Sequence, residues 1–175
     1  MAIGRTYNVD INAATSGTGI AVGTGGVPGG EYALLYGVTT GEYNISAVRV
    51  STWSGASASY PSNGTITWRI RRASGTSSGF GATATVAPVS QSTTAALSTW
   101  LFMTAGATGT GSFATYGNVL WSQTMPCTAG ANWGEWFTPG FELNCTTSTI
   151  AVTYQLGSAG SISAVNLIPE LVISE

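Results

Sequence analysis

The chain has 175 residues and a net charge of −2; it contains no Lys and no His, and only 7% of its residues are charged while 43% are hydrophobic. Ser-His-Asp and Cys-His catalysis, His-based zinc sites, a Walker phosphate loop and a lysine Schiff base are therefore excluded, and so few cations argue against nucleic acid as a partner. Gly, at 24 residues, is about twice its usual share, and β-branched and aromatic residues run throughout, which describes an all-β domain rather than a disordered chain.

In chain order, residues 5–11 read as a short strand with Tyr7, Val9 and Ile11 on one face. Residues 13–30 then hold seven Gly among 18 positions, too little apolar surface to offset the entropy of ordering them. Residues 1–30 are accordingly expected to form an extended glycine-rich N-terminal arm, ordered only when a neighbour receives it. That makes Tyr7, Val9, Ile11, Ile20 and Val22 candidate contacts. Residues 31–175 are expected to form a single domain, long enough to bury roughly 70% of the extended chain's surface without metal or staple.

Within that domain, residues 32–38 predict a strand, and residues 43–53 a second with a bulge near Ala47. Residues 55–64 read as a loop ending in the turn dipeptide Asn63-Gly64. Residues 65–72 have the cleanest alternation in the chain: Ile66, Trp68 and Ile70 against Thr67, Arg69 and Arg71. This strand carries three of the five Arg, Arg69, Arg71 and Arg72, and is expected to organise the core and to hold most of the positive charge. Residues 73–81 read as a Gly and Ser loop, 82–89 as a weak strand, 90–97 as a short helical turn, and 99–104 as a buried strand. Two further strands are read at 112–116 and 119–121. Aromatic residues then gather around Pro139-Gly140, a turn signal between short strands. Residues 149–156 place Ile150, Val152 and Tyr154 on one face, and the tail closes through Leu171-Val172-Ile173. Nine or ten strands with almost no helix make an antiparallel β-sandwich, with jelly-roll topology the most economical arrangement.

Paired carboxylates are the one enzymatic candidate. Glu135 and Glu142 flank the Pro139-Gly140 turn with Trp133 and Trp136 nearby, a composition suited to glycan cleavage or to a carbohydrate-binding module. Core tryptophans and edge carboxylates account for the same residues without a ligand, and no enzymatic activity is expected. Cys127 and Cys145 are too few for a metal site; a disulfide between them requires Cα atoms within about 7 Å, and two free buried thiols are the other reading. No cofactor or metal is implied. No secretory leader and no membrane-spanning run is visible, so no membrane partner is expected.

Several features occur in one order: Leu34-Leu35, a strand ending in Trp53, Ile70-Arg71-Arg72 followed by Gly75-Thr76, a Thr and Ala segment around Pro88 and Thr93 to Ala96, Trp133 to Phe137 running into Pro139-Gly140, and a terminal strand closing on Glu175. This order resembles the small jelly-roll capsid decoration or cement proteins of tailed bacteriophages over about residues 31–156 and the tail. The resemblance implies a non-enzymatic virion protein on the outer capsid surface. It would be a homo-oligomer, trimer or dimer, that bridges subunits of the major capsid protein. Arg69, Arg71 and Arg72 would contact an acidic partner or a neighbouring copy. A head-fibre or tail-associated structural module is the nearest variant.

Overall fold

The computed structural model describes residues 5–11, 20–22, 30–39, 43–59, 64–89, 96, 98–103, 111–127, 133–138, 143–145, 149–157 and 163–175. Among them are thirteen strands: β1 (Thr6–Asp10), β2 (Ile20–Val22), β3 (Glu31–Thr39), β4 (Tyr43–Ser59), β5 (Gly64–Ser78), β6 (Phe80–Thr83), β7 (Thr85–Pro88), β8 (Ser98–Met103), β9 (Ser112–Cys127), β10 (Trp133–Phe137), β11 (Leu143–Cys145), β12 (Thr149–Leu156) and β13 (Ser163–Ser174). The first sheet runs β10-β4-β13-β1-β7, with β11 also on β4 and β2 also on β13; the second runs β6-β8-β3-β12-β5-β9. Every pairing is antiparallel, and four of them are nested in sequence: β1 with β13, β3 with β12, β4 with β10 and β11, and β5 with β9. The chain thus folds as a hairpin doubled on itself, with β6, β7 and β8 inserted at its far end.

Period-2 alternation decides what the two sheets bury between them. From β5 come Ile66, Trp68 and Ile70, each 1% exposed or less; from β12, Ile150, Val152 and Tyr154; from β4, Ile45, Val48 and Val50; from β13, Leu171 and Ile173. The strand with the cleanest alternation therefore sits where expected, between β12 and β9 with Trp68 fully buried. β12 is buried on both faces, because Ala151 and Thr153 on its outer side are covered as well. A second cluster of Ala33, Tyr36, Ala73, Phe113 and Ala151 lies there, with Tyr36 edge-on to Phe80 at 4.6 Å and to Phe113 at 5.1 Å. Gly111 brings the start of β9 over this face: its carbonyl accepts from the Ala33 amide at 2.7 Å.

Several expectations are corrected by the ladders. Tyr7, Val9, Ile11 and Ile20 do not stand off the domain; β1 lies between β13 and β7, β2 pairs with β13, and these four side chains are 0–1% exposed in the common core. Three apolar side chains on one face of a strand close the sheet more favourably than they serve a free arm. Val22 pairs with Val165 through the backbone, and the glycines at 12–19 and 23–29 lie outside the described residues. The loops expected at 55–64 and 73–81 are mostly strand, because β4 continues along β13 as far as Ser59 and β5 continues along β9 as far as Ser78. Gly75 (φ 80°) and Gly79 (φ 83°) supply left-handed backbone in the second of these. The single weak strand at 82–89 is two, β6 in one sheet and β7 in the other, and the chain crosses at Ala84, whose amide bonds the Trp100 carbonyl at 2.8 Å. The bulge near Ala47 is present, where the β4–β13 register skips Ser46. The helical turn at 90–97, Ala96 aside, and the turn at Pro139-Gly140 fall outside the described residues.

Candidate functional site

Two clusters of paired charges stand out among the described residues, and each is built by strand register. The larger lies on the outer face of the second sheet. Thr153 on β12 is opposite Arg69 on β5 and Ala33 on β3, while Gln155 is opposite Glu31. Glu31 can therefore reach over β12 to the arginines beyond it. Its Oε1 accepts from the buried Thr153 hydroxyl at 2.5 Å, and its Oε2 lies 2.5 Å from Arg71 Nη1 and 3.4 Å from Arg69 Nη1. The side chains are only 15%, 19% and 21% exposed for Glu31, Arg71 and Arg69. Arg71 also donates from Nε and Nη2 to the Gly117 carbonyl at 3.1 and 2.7 Å, and its guanidinium lies 5.4 Å from the Tyr116 ring. Burial pushes the Tyr116 phenol above its ordinary value, and the Glu31 charge adds to the rise against the opposing charge of Arg71.

This arrangement locks strands together. The Glu31 carboxylate accepts from one hydroxyl and one guanidinium, with a second guanidinium at 3.4 Å. Arg71 is committed to Glu31 and Gly117. Arg69 is not: its Nη1 lies within ion-pair distance of Glu31 but makes no hydrogen bond. Arg72 points to the other face, because it alternates with Arg71 along a regular β5–β12 ladder, and it is half-buried. The structure brings two of the three sequence-predicted arginines together and separates the third.

The second cluster is a row across the outer face of the first sheet, Trp136–Arg49–Glu170–Asp10–Thr85 in register. Arg49 Nη1 pairs with Glu170 Oε2 at 2.8 Å, and the Arg49 guanidinium lies 6.0 Å from the ring of Trp136, which is 48% exposed. Glu135 is exposed on β10 beside it. Trp133 pairs with Thr52 through the backbone; its side chain, and Glu142 entirely, lie outside the described residues. The neighbouring row, Ala87–Asn8–Val172–Ala47, is uncharged. Cys127 ends β9 in the second sheet and Cys145 ends β11 in the first, and their side chains are outside the described part.

Sequence reasoning missed Glu31, Thr153, Tyr116, Arg49 and Glu170. No local motif marks any of them; their partners lie 40 to 122 residues away, and only the register of three strands brings them together. Among the described residues no group of three or more His, Cys, Asp or Glu gathers, and no helix is long and apolar enough to cross a membrane. No family model matches the chain, and no curated protein and no solved structure matches it.

Proposed function

We propose that the chain is a virion structural protein, a jelly-roll domain on the outer surface of the capsid of a tailed bacteriophage. It would bind the major capsid protein and stabilise the shell as a homo-oligomer, without catalysis. The observation that carries this reading is the nesting of β1 with β13, β3 with β12, β4 with β10 and β5 with β9. Such nesting supports a jelly-roll connectivity, an architecture used by viral capsid proteins and lectins. Its faces support assembly: small uncharged side chains such as Asn8, Ser46, Ala47, Ala87 and Val172 lie on the outer side of the first sheet, and such a surface is cheap to desolvate against a neighbour. Arg69 and Arg72, both partly exposed, are the cations this reading assigns to contact with an acidic partner.

The test is gold labelling with an antibody to this protein, together with mass spectrometry, on tailed particles purified from the source that carries the gene. The protein is expected in stoichiometric amount, with label over the head. Its absence from purified particles would overturn the reading, and label confined to the tail would move it to the tail-associated variant. Carbohydrate binding is the second reading, favoured by the half-exposed Trp136 on the outer face with the Arg49–Glu170 pair next to it. Retention on a glycan array, lost in Trp136→Ala, would establish it instead.

A further inference from the structure

Among the described residues β10 and β7 end the strand order of the first sheet and β6 and β9 that of the second, and they differ in one respect. β6 and β7 have four residues each, β7 ending in Pro88, and β10 has five with Glu135 among them. β9 has sixteen, and none of its residues is charged. Short length, charge and proline are the usual protections of an edge strand against pairing with another chain. β9 lacks the first two, and its only proline is Pro126, near one end. Among the described residues its only strand partner is β5, apart from the bridge of Gly111 to Ala33.

The register shows which backbone groups of β9 face away from β5. Pro126 stands opposite Thr65, and the Thr65 carbonyl accepts from the Gly157 amide at 2.8 Å, on the side of β5 away from β9. The Thr65–Pro126 pair is therefore a non-hydrogen-bonded one, and the backbone of Pro126 faces outward. From Trp121 to Cys127 the ladder has no irregularity, so alternation turns the N–H and C=O of Thr124 and Ser122 outward as well. The Gln123 side chain reaches for the Thr124 carbonyl at a long 3.4 Å, and both Ser122 and Thr124 are exposed.

We infer that this edge pairs with the same edge of a second copy of the chain. A two-fold axis at Gln123 sets Ser122 opposite Thr124 of the second copy, and each such pair exchanges both N–H···O=C bonds. The pairing is self-complementary and isologous, and with no charge on β9 nothing in the strand repels its twin. Trp121 of β9 packs on Phe137 of β10 at 5.5 Å, so the edge of the first sheet stands over that of the second and both layers meet their counterparts. Within the regular ladder the residues that meet their mates across an axis at Gln123 are Trp121 to Met125, about 17 Å of strand. With two layers about 20 Å tall, this covers about 340 Å² per copy, the size of a weak, transient contact. The result is a reversible dimer with one sheet continuous across both copies.

This inference does not depend on the capsid reading, since it concerns the free protein, and either can fail alone. Sedimentation velocity and light scattering on the full chain are expected to show a concentration-dependent shift from the 17.8 kDa chain to twice that mass. Ser122→Pro, which removes one outward donor, and the double variant Ser122→Lys/Thr124→Lys, which sets ammonium groups opposite each other, are each expected to weaken dimerisation at least tenfold. Their circular dichroism should be unchanged. Thr85→Lys, on the edge strand β7, should leave the equilibrium where it was. A wild-type protein that stays monomeric up to about 1 mM, a trimer, or a dimer indifferent to folded Ser122 and Thr124 variants would overturn the inference.

Discussion

Replacing Glu31 by Gln keeps the shape of the side chain and removes the charge on which β3, β5 and β12 converge. Arg71 then loses its 2.5 Å partner but keeps its two bonds to the Gly117 carbonyl, whereas Arg69 loses its only counter-charge among the described residues. Breaking a fully buried ion pair costs about 3–5 kcal/mol. These side chains retain 15–21% exposure, which admits some water, so about 2 kcal/mol is expected. A double-mutant cycle with Arg71→Met, which retains an unbranched apolar stem over Tyr116, isolates the pair. Its coupling should be about 1–2 kcal/mol, and the matching cycle with Arg69→Met should give less than about 0.5, since at 3.4 Å no hydrogen bond forms. Urea unfolding at neutral pH measures each corner, and an unchanged denaturant slope would confirm that compactness is not altered. Repeating the cycle in about 1 M salt, where the screening length is about 3 Å, should preserve most of the coupling because the groups are largely covered. An additive cycle, or a coupling abolished by salt, would refute the claim that Glu31 locks the three strands.

Two further outcomes follow from buried groups. Burial, reinforced by the neighbouring Tyr32, pushes the Tyr154 phenol far above its ordinary value of 10.0, so the folded state keeps a proton that the unfolded chain releases near pH 10. The stability this represents is complete below about pH 10 and falls by about 1.4 kcal/mol per pH unit above it; Tyr154→Phe should flatten that decline in unfolding free energies measured from about pH 9 to about pH 11. In Gly111→Ala, the new Cβ would collide with the Ala33 carbonyl oxygen and come within 2.9 Å of Phe80 Cζ. The expected cost is about 2–4 kcal/mol, with loss of near-ultraviolet ellipticity from the Tyr36, Phe80 and Phe113 cluster and far-ultraviolet ellipticity retained; wild-type stability would show that β9 is not pinned at this point.

The fold was legible where side chains alternate. Ile66-Thr67-Trp68-Arg69-Ile70 could only be a strand with one face in a core, and Ile150, Val152 and Tyr154 made the same statement for β12. Legibility failed where pairing, not propensity, makes the strand. Ser74 to Ser78 has poor strand propensity and two positive-φ neighbours in Gly75 and Gly79, yet it is held in a ladder by β9. Residues 5–11 were correctly read as a strand, but the glycines after it suggested a free arm. Nothing local announces that β13, more than 150 residues on, leaves a place beside it for Tyr7 and Val9. The polar clusters failed for the same reason. An isolated Glu at the start of a strand carries no sign of the Arg it will meet 40 residues later.

The placement of charge bears on what the surface can do. Arg49 and Glu170 neutralise each other, Arg71 and Glu31 do the same with Arg69 alongside, and the Glu175 carboxylate is held by the backbone and hydroxyl of Ser98 at 2.9 and 2.5 Å. Half of the chain's twelve charged residues are thus used in holding strands to one another. What remains outside is sparser than the composition already implies, so encounters with other surfaces gain little from long-range steering and lose little to charge desolvation. Contacts on such a surface must come from shape, backbone pairing and small apolar groups. One such contact is weak, and only repetition makes it strong. The proposed capsid role would meet that condition, since in an array every copy meets the same neighbours, modest interfaces act together and no single one has to be tight.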